Sequence, residues 1–137
     1  MIAYFEIHDS ILEHVSETDR LVTLRLSAFR NECDSLESDL DGNGGYQEIQ
    51  IEIDGAALSR SSSHTPVWLL DGDFQADQHD GKPEDVVSAG CIPASLTWAL
   101  GVRLKLEGMD EDNNEHVTVE IEGKSMKLIP LSAPDFS

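Results

Sequence analysis

Apolar and polar residues exchange places at every second position along most of this chain, and that period of two restricts its fold more than any other feature. Ile49-Gln50-Ile51-Glu52-Ile53 alternates without a break, and so do Val22, Leu24 and Leu26 against Thr23, Arg25 and Ser27. The longest run passes from Leu96 through Trp98, Leu100, Val102 and Leu104 to Leu106, with Arg103, Lys105 and Glu107 on the opposite side. Val117, Val119 and Ile121 repeat the pattern. Successive strand side chains point to opposite faces, so this alternation marks antiparallel strands with one face buried and one wet. No segment sustains a helical period. About eight or nine such segments predict a single all-β domain over residues 1–137, an antiparallel β-sandwich or open β-barrel.

The breaks between segments agree with this reading. Asp54-Gly55 separates Ile49–Ile53 from Ala57–Arg60, and Asp71-Gly72 separates Val67–Leu70 from Phe74–Ala76. Asp-Gly accepts the positive φ angles of a two-residue hairpin, which predicts a chain reversal at each pair. Gly123-Lys124 is expected to close the last hairpin in the same way. The segment 124–131 would then be an edge strand able to pair with a second copy; the oligomeric state itself is left open. Trp68 and Trp98, set in apolar-patterned strands, are expected in the core. Should either be exposed, it becomes a platform for a ligand.

Charge decides which functions to set aside. Asp plus Glu number 27 against 9 Lys plus Arg, for a formal net charge of -18. Ordinary small domains carry about 2–8 charges of either sign. Such a field repels phosphate backbones and anionic membranes, and attracts basic proteins and divalent cations. A carboxylate-rich surface also keeps proteins soluble in salt, which needs no partner at all. Met1–Ser10 has no basic and apolar segments of the secretory kind, and no apolar run reaches the ~20 residues that span a bilayer, so the expected location is the cytoplasm. Cys33 and Cys91 are too few for a disulfide framework or a zinc motif, although a single bridge between them stays open.

Near the N-terminus His8, Asp9 and Ser10 stand in a row. A Ser–His–carboxylate triad needs hydrogen bonds running from serine to histidine to acid. Three consecutive strand residues cannot make that chain, because His8 and Ser10 share a side and Asp9 faces away. A turn at Asp9 or Ser10, with a short oxygen bonding its own backbone, is the better reading. The pattern F-x-x-H-D-S-x-L, carried by Phe5, His8, Asp9, Ser10 and Leu12, resembles a set of small bacterial proteins of unknown function. The likeness extends over roughly residues 1–55, through the strand 21–28 to Gly45-Tyr46-Gln47. Gly44-Gly45-Tyr46 stands where the resemblance leads one to expect Thr-Gly-Trp. It implies an all-β fold and supplies no activity.

The sharpest local motif is Asp39-Leu40-Asp41-Gly42-Asn43-Gly44. Oxygen ligands at positions 1, 3 and 5 followed by glycine at 6 match the opening of an EF-hand calcium loop, with Asp39, Asp41 and Asn43 as candidate ligands. Position 12 is Gln50 rather than a bidentate glutamate, and a strand rather than a helix follows. A Ca2+ site of another kind is still expected to be possible if this loop meets Asp71, Asp73, Asp77 and Asp80, or Asp110, Glu111 and Asp112. His14, His64, His79 and His116 have no metal-ligand spacing, and Cys33 lies in an acidic stretch that disfavours a thiolate. No catalytic constellation emerges, so the chain is read as a non-enzyme needing no cofactor. The leading expectation is an acidic binding or interaction module that docks a basic protein, as immunity proteins neutralise toxins. A Ca2+-assisted ligand-binding fold comes second and an enzyme hidden across strands third.

Overall fold

The computed structural model describes residues 1–34 and 43–136. Its strands are β1 (Ile2–Thr18), β2 (Leu21–Cys33), β3 (Asn43–Asp54), β4 (Ala57–Arg60), β5 (Val67–His79), β6 (Cys91–Pro93), β7 (Trp98–Asp110) and β8 (His116–Pro130). The expectation of an antiparallel all-β fold holds, and of the two architectures the barrel is the one that forms. Pairing runs β2–β3–β8–β7–β5–β1 and returns from β1 to β2, so six strands close on themselves, with β4 added beside β8 and β6 beside β1. No helix among the described residues is long and apolar enough to cross a membrane.

The interior is filled by the residues that the alternation marks. Val22, Leu24 and Leu26 from β2, Ile49, Ile51 and Ile53 from β3, Val102, Leu104 and Leu106 from β7, and Val117, Val119 and Ile121 from β8 are at most 3% exposed. Each such side chain contributes about 1.5–3 kcal/mol by leaving water. Barrels of eight strands have interiors just wide enough for side chains to fill. Six strands enclose less, and branched aliphatic residues suffice to pack the space.

A closed barrel requires strands to bend, and here three sequence expectations fail together. Asp54-Gly55 is not a hairpin: β3 and β4 both run antiparallel to β8, so the chain bends and continues in the same direction. Asp71-Gly72 lies within β5, paired with Glu107 and Leu106 of β7 directly after a bulge at Leu70, and Gly123-Lys124 lies within the unbroken β8. Both aspartates bond forward onto their own glycine, Asp54 Oδ1 accepting from Gly55 N at 2.9 Å and Asp71 Oδ1 from Gly72 N at 2.8 Å. Asp-Gly supplies a local kink here, and the neighbouring strand decides whether that kink reverses the chain. The tight reversal is made instead by Asp19 (φ 50) and Arg20 (φ 65), which join β1 to β2. Two consecutive positive φ angles are those of a type I′ turn.

The bends line up across the barrel wall. Asp54 pairs with Ser125 and Ala57 with Glu122, while Leu100 and Val102 flank Gly101 opposite Ser125 and Gly123. On the far side of β7, Ala76 and Gln78 pair with Val102 and Leu100. One transverse line therefore runs through Gly55, Lys124, Gly101 and Asp77. Along it the inward set slips by one residue: Ile53 to Ala56, Ile121 to Met126, and Ala99 to Val102 are all odd steps between buried positions. Gly55 (φ 61) and Gly101 (φ 62) take the left-handed conformation that permits the slip.

One further correction follows from the pairing. Met126–Pro130 bonds to β3, so that part of the 124–131 segment is not a free edge. Cys33 and Cys91 are both buried and free.

A Cβ at Gly101 would run into the Asp77 carboxylate and would have to hold a positive φ. Gly101→Ala is expected to cost about 2 kcal/mol or more, read from urea denaturation. Gly90→Ala, whose Cβ would meet nothing nearer than 3.5 Å, serves as the near-neutral comparison.

Candidate functional site

The His8-Asp9-Ser10 segment is a large bulge in β1. Glu6 pairs with Phe29 and Ile11 with Ser27, so four residues of β1 lie opposite one of β2. Asp9 sits at φ 71. Ser10, 1% exposed, replaces the interrupted ladder: its Oγ donates to the Glu6 carbonyl at 2.6 Å and accepts from Phe29 N at 2.9 Å. On the other side Ile7 N donates to the Gly90 carbonyl at 3.0 Å. Tyr46 Oη donates to the Asp9 carbonyl at 3.2 Å. The expected bond from a short oxygen to nearby backbone is present, but within a bulge of one continuous strand rather than a turn, and it commits the Ser10 hydroxyl to two backbone groups. The F-x-x-H-D-S-x-L pattern now has physical content. Phe5 and Leu12 anchor the two ends of the bulge in the core, Ser10 bridges the gap, and His8 and Asp9 are left at the surface.

The bulge also does something that strand geometry forbids. In an extended segment His8 and Asp9 would face opposite ways. With Asp9 left-handed, His8 Nδ1 and Asp9 Oδ2 meet at 3.1 Å. Glu6 joins them, and one ligand-type atom from each of the three residues lies within 4.8 Å of the other two.

Beside the bulge, outward positions of adjacent strands form a row: Glu48 on β3, Ser27 on β2, Ile11 on β1, Trp68 on β5 and Met109 on β7. Trp68 is 50% exposed, with Leu70 at 46% next to it and Tyr46 at 42%. Tyr46 packs edge-on against Phe29 with ring centroids 5.3 Å apart. Carboxylates border this apolar ground: Glu6 and Asp9 at the bulge, Glu13 two residues past Ile11 on β1, Glu48 at the β3 end of the row, and Asp71 after Leu70 on β5. Glu13 is the extra residue of a second irregularity between Leu12 and His14, and it reaches Glu48. Burial first, then the Glu13 carboxyl, push Glu48 up to about 7 against the opposing pull of Arg25.

Both tryptophans contradict the expectation of core positions. Val67 and Leu69 point inward, so Trp68 between them points out. An uninterrupted apolar run does not disclose which half of it faces water. Trp98, 43% exposed, is turned out by the slip at Gly101, which puts Ala99 inside instead. The sequence signal that would have found this was the glycine in the middle of a long alternating run.

Of the candidate calcium ligands, Asp39 and Asp41 lie outside the described residues. Asn43 opens β3 opposite Glu32. The register of β3 on β8 and of β8 on β7 places it at the opposite end of the strands from the Asp110–Asp112 turn. Asp110, 1% exposed, is committed within that turn, accepting from Asp112 N at 2.8 Å and Asn113 Nδ2 at 3.1 Å and meeting His64 Nδ1 at 3.1 Å. These contacts, with Asp112 N foremost, hold its carboxyl below the usual range. Asp71, Asp73 and Asp77 are spread along β5 rather than gathered in a loop. Asp80 is held by the backbone N–H groups of Thr97 and Trp98 and by the Thr97 hydroxyl. The acids expected to converge are therefore, where described, mostly structural or dispersed.

Two other places carry charged or sulfur-bearing groups. A groove of about 430 Å³ on the outer face of β4, β8, β7 and β5 holds Arg103 and Lys105 among Asp73, Glu120 and Glu122. Its cations are neutralised locally, Lys105 lying 3.1 Å from Glu107 and 3.8 Å from Glu120. Burial, reinforced by Glu6, raises the Cys91 thiol against the hydrogen bond from Ser88, which opposes thiolate chemistry. With the geometry in hand, no family model, curated protein or solved structure matches the chain.

A carboxyl whose folded value lies above its unfolded value of 4.5 binds an extra proton in the native state between 4.5 and about 7. Stability from this group is present below that window and declines as pH rises through it. Glu48→Gln, which stays neutral, is expected to melt a few degrees above the wild type when both are measured above the window. The advantage should vanish below it.

Proposed function

We propose that the protein is a non-catalytic docking module whose Trp68 face receives a basic protein partner, in the manner of a toxin-neutralising immunity protein. The observation that carries this reading is the half-exposed Trp68 set in a row with Ile11 and Met109 and bordered by carboxylates. Adaptation to salt accounts for surface carboxylates but not for Trp, Leu and Tyr side chains held out of the core beside them. Large aromatic anchors surrounded by a polar rim are the usual energetic centre of protein interfaces. The rim determines the partner's sign. Glu6, Asp9, Glu13, Glu48 and Asp71 favour lysine and arginine, and the net charge of -18 speeds the encounter over a longer range. The same field works against nucleic acids and anionic membranes as partners.

The test uses a Trp98→Phe background, in which Trp68 fluorescence reports alone. The probe is a Lys/Arg-rich peptide carrying interspersed leucines, titrated at low and physiological salt. Saturable binding that weakens with salt is expected, and Trp68→Ala should weaken it by about 2 kcal/mol, roughly 30-fold. Glu120→Gln with Glu122→Gln, which removes charge elsewhere on the barrel, should change affinity little. Equal binding by the Trp68→Ala variant would make the attraction a generic effect of net charge and end the proposal.

A further inference from the structure

We propose that Glu6, His8 and Asp9 form a surface binding site for one divalent transition-metal ion of the zinc class. This does not rest on the docking role. Two carboxylates and an imidazole supply two oxygens and one nitrogen, a donor set that suits Zn2+ far better than Ca2+ or Mg2+, which take oxygen ligands. Ligands of a tetrahedral zinc at about 2.0–2.1 Å stand roughly 3.3 Å from one another. His8 Nδ1 and Asp9 Oδ2, 3.1 Å apart, already have that spacing. The Glu6 carboxylate places its donor within 4.8 Å of both.

The backbone beneath is held in place. The two Ser10 Oγ bonds, the Ile7–Gly90 bond and the Tyr46 bond to the Asp9 carbonyl tie the bulge to β2, to the turn before β6 and to β3. Three ligands would thus be presented on a prearranged frame. His8 is 61% exposed and Asp9 39%, so a bound ion would keep one or more positions for water or an outside ligand. The histidine separates this cluster from the other acidic patches. Asp71, Asp73 and Asp77 bring no nitrogen donor and lie against Lys105 and Arg103. The His64–Asp110 pair surrounds a carboxylate already engaged by Asp112 and Asn113. His79 Nδ1 accepts from Gly81 N at 3.1 Å.

Isothermal titration of untagged, chelator-treated protein with ZnCl2, and separately with CaCl2 and MgCl2, tests the assignment. One zinc per chain is expected, with at least tenfold weaker binding for Ca2+ and Mg2+. His8→Ala should weaken zinc binding at least tenfold, and Glu6→Gln should weaken it too, with circular dichroism confirming that both variants fold. His14→Ala and His64→Ala should leave it unchanged. Absent zinc binding, unchanged binding in His8→Ala, or calcium bound as tightly as zinc would each overturn the proposal.

Discussion

Closing a sheet of long strands on itself is the constraint from which the rest of this structure follows. Strands of 12 to 17 residues cannot curl into a six-stranded barrel by twist alone. They need places where the backbone bends sharply and, at each bend, the side chains exchange faces. The transverse line through Gly55, Lys124, Gly101 and Asp77 is one such corner, and the β1 bulge at His8-Asp9-Ser10 is another. Both serve the core first. Ala56, Ala99 and Met126 turn inward beyond the corner, and Ile7 and Leu12 stay inward across the bulge. What reaches the surface is a by-product of that requirement: Trp98 and Leu100 at the corner, and the Glu6–His8–Asp9 group at the bulge.

The same constraint separates what could be read in the sequence from what could not. Period-two alternation reports local backbone geometry, so the strands, their buried faces and the all-β class were legible from Val22, Ile51, Leu104 and Val119. Closure depends on which strands become neighbours, and alternation is silent on that. Asp54-Gly55 looks like a hairpin in one dimension and proves to be a bend only because β8 pairs with the chain on both sides of it. Leu96 to Leu106 reads as one unbroken stripe although a left-handed Gly101 divides it. In an extended strand His8 and Asp9 would face opposite ways, and the left-handed Asp9 brings them together. The metal-type cluster was missed for that one reason.

Charge acquires meaning once the acids are sorted by what they touch. Asp85 accepts from Ala3 N and the Ser95 hydroxyl, and Asp80 and Asp110 order their own loops, so these carboxylates belong to the fold. Glu13 and Glu48 are the opposite case. Held together, they cost stability whenever both are ionised, and Glu48 resists ionising first because it is partly buried and then because Glu13 is beside it. Net charge counted over the whole chain conceals this difference between acids that fold the barrel and acids that its surface leaves available.

Closure decides which side chains turn outward, and acrylamide quenching of tryptophan fluorescence tests that directly. Wild type, Trp68→Phe and Trp98→Phe would be compared under native conditions. Exposed indoles predict red-shifted emission from each single-tryptophan variant and quenching that approaches the efficiency seen in the unfolded chain. Blue-shifted, poorly quenched emission from the Trp98→Phe variant would place Trp68 in the core. The register of β5, and the docking face built on it, would then be wrong.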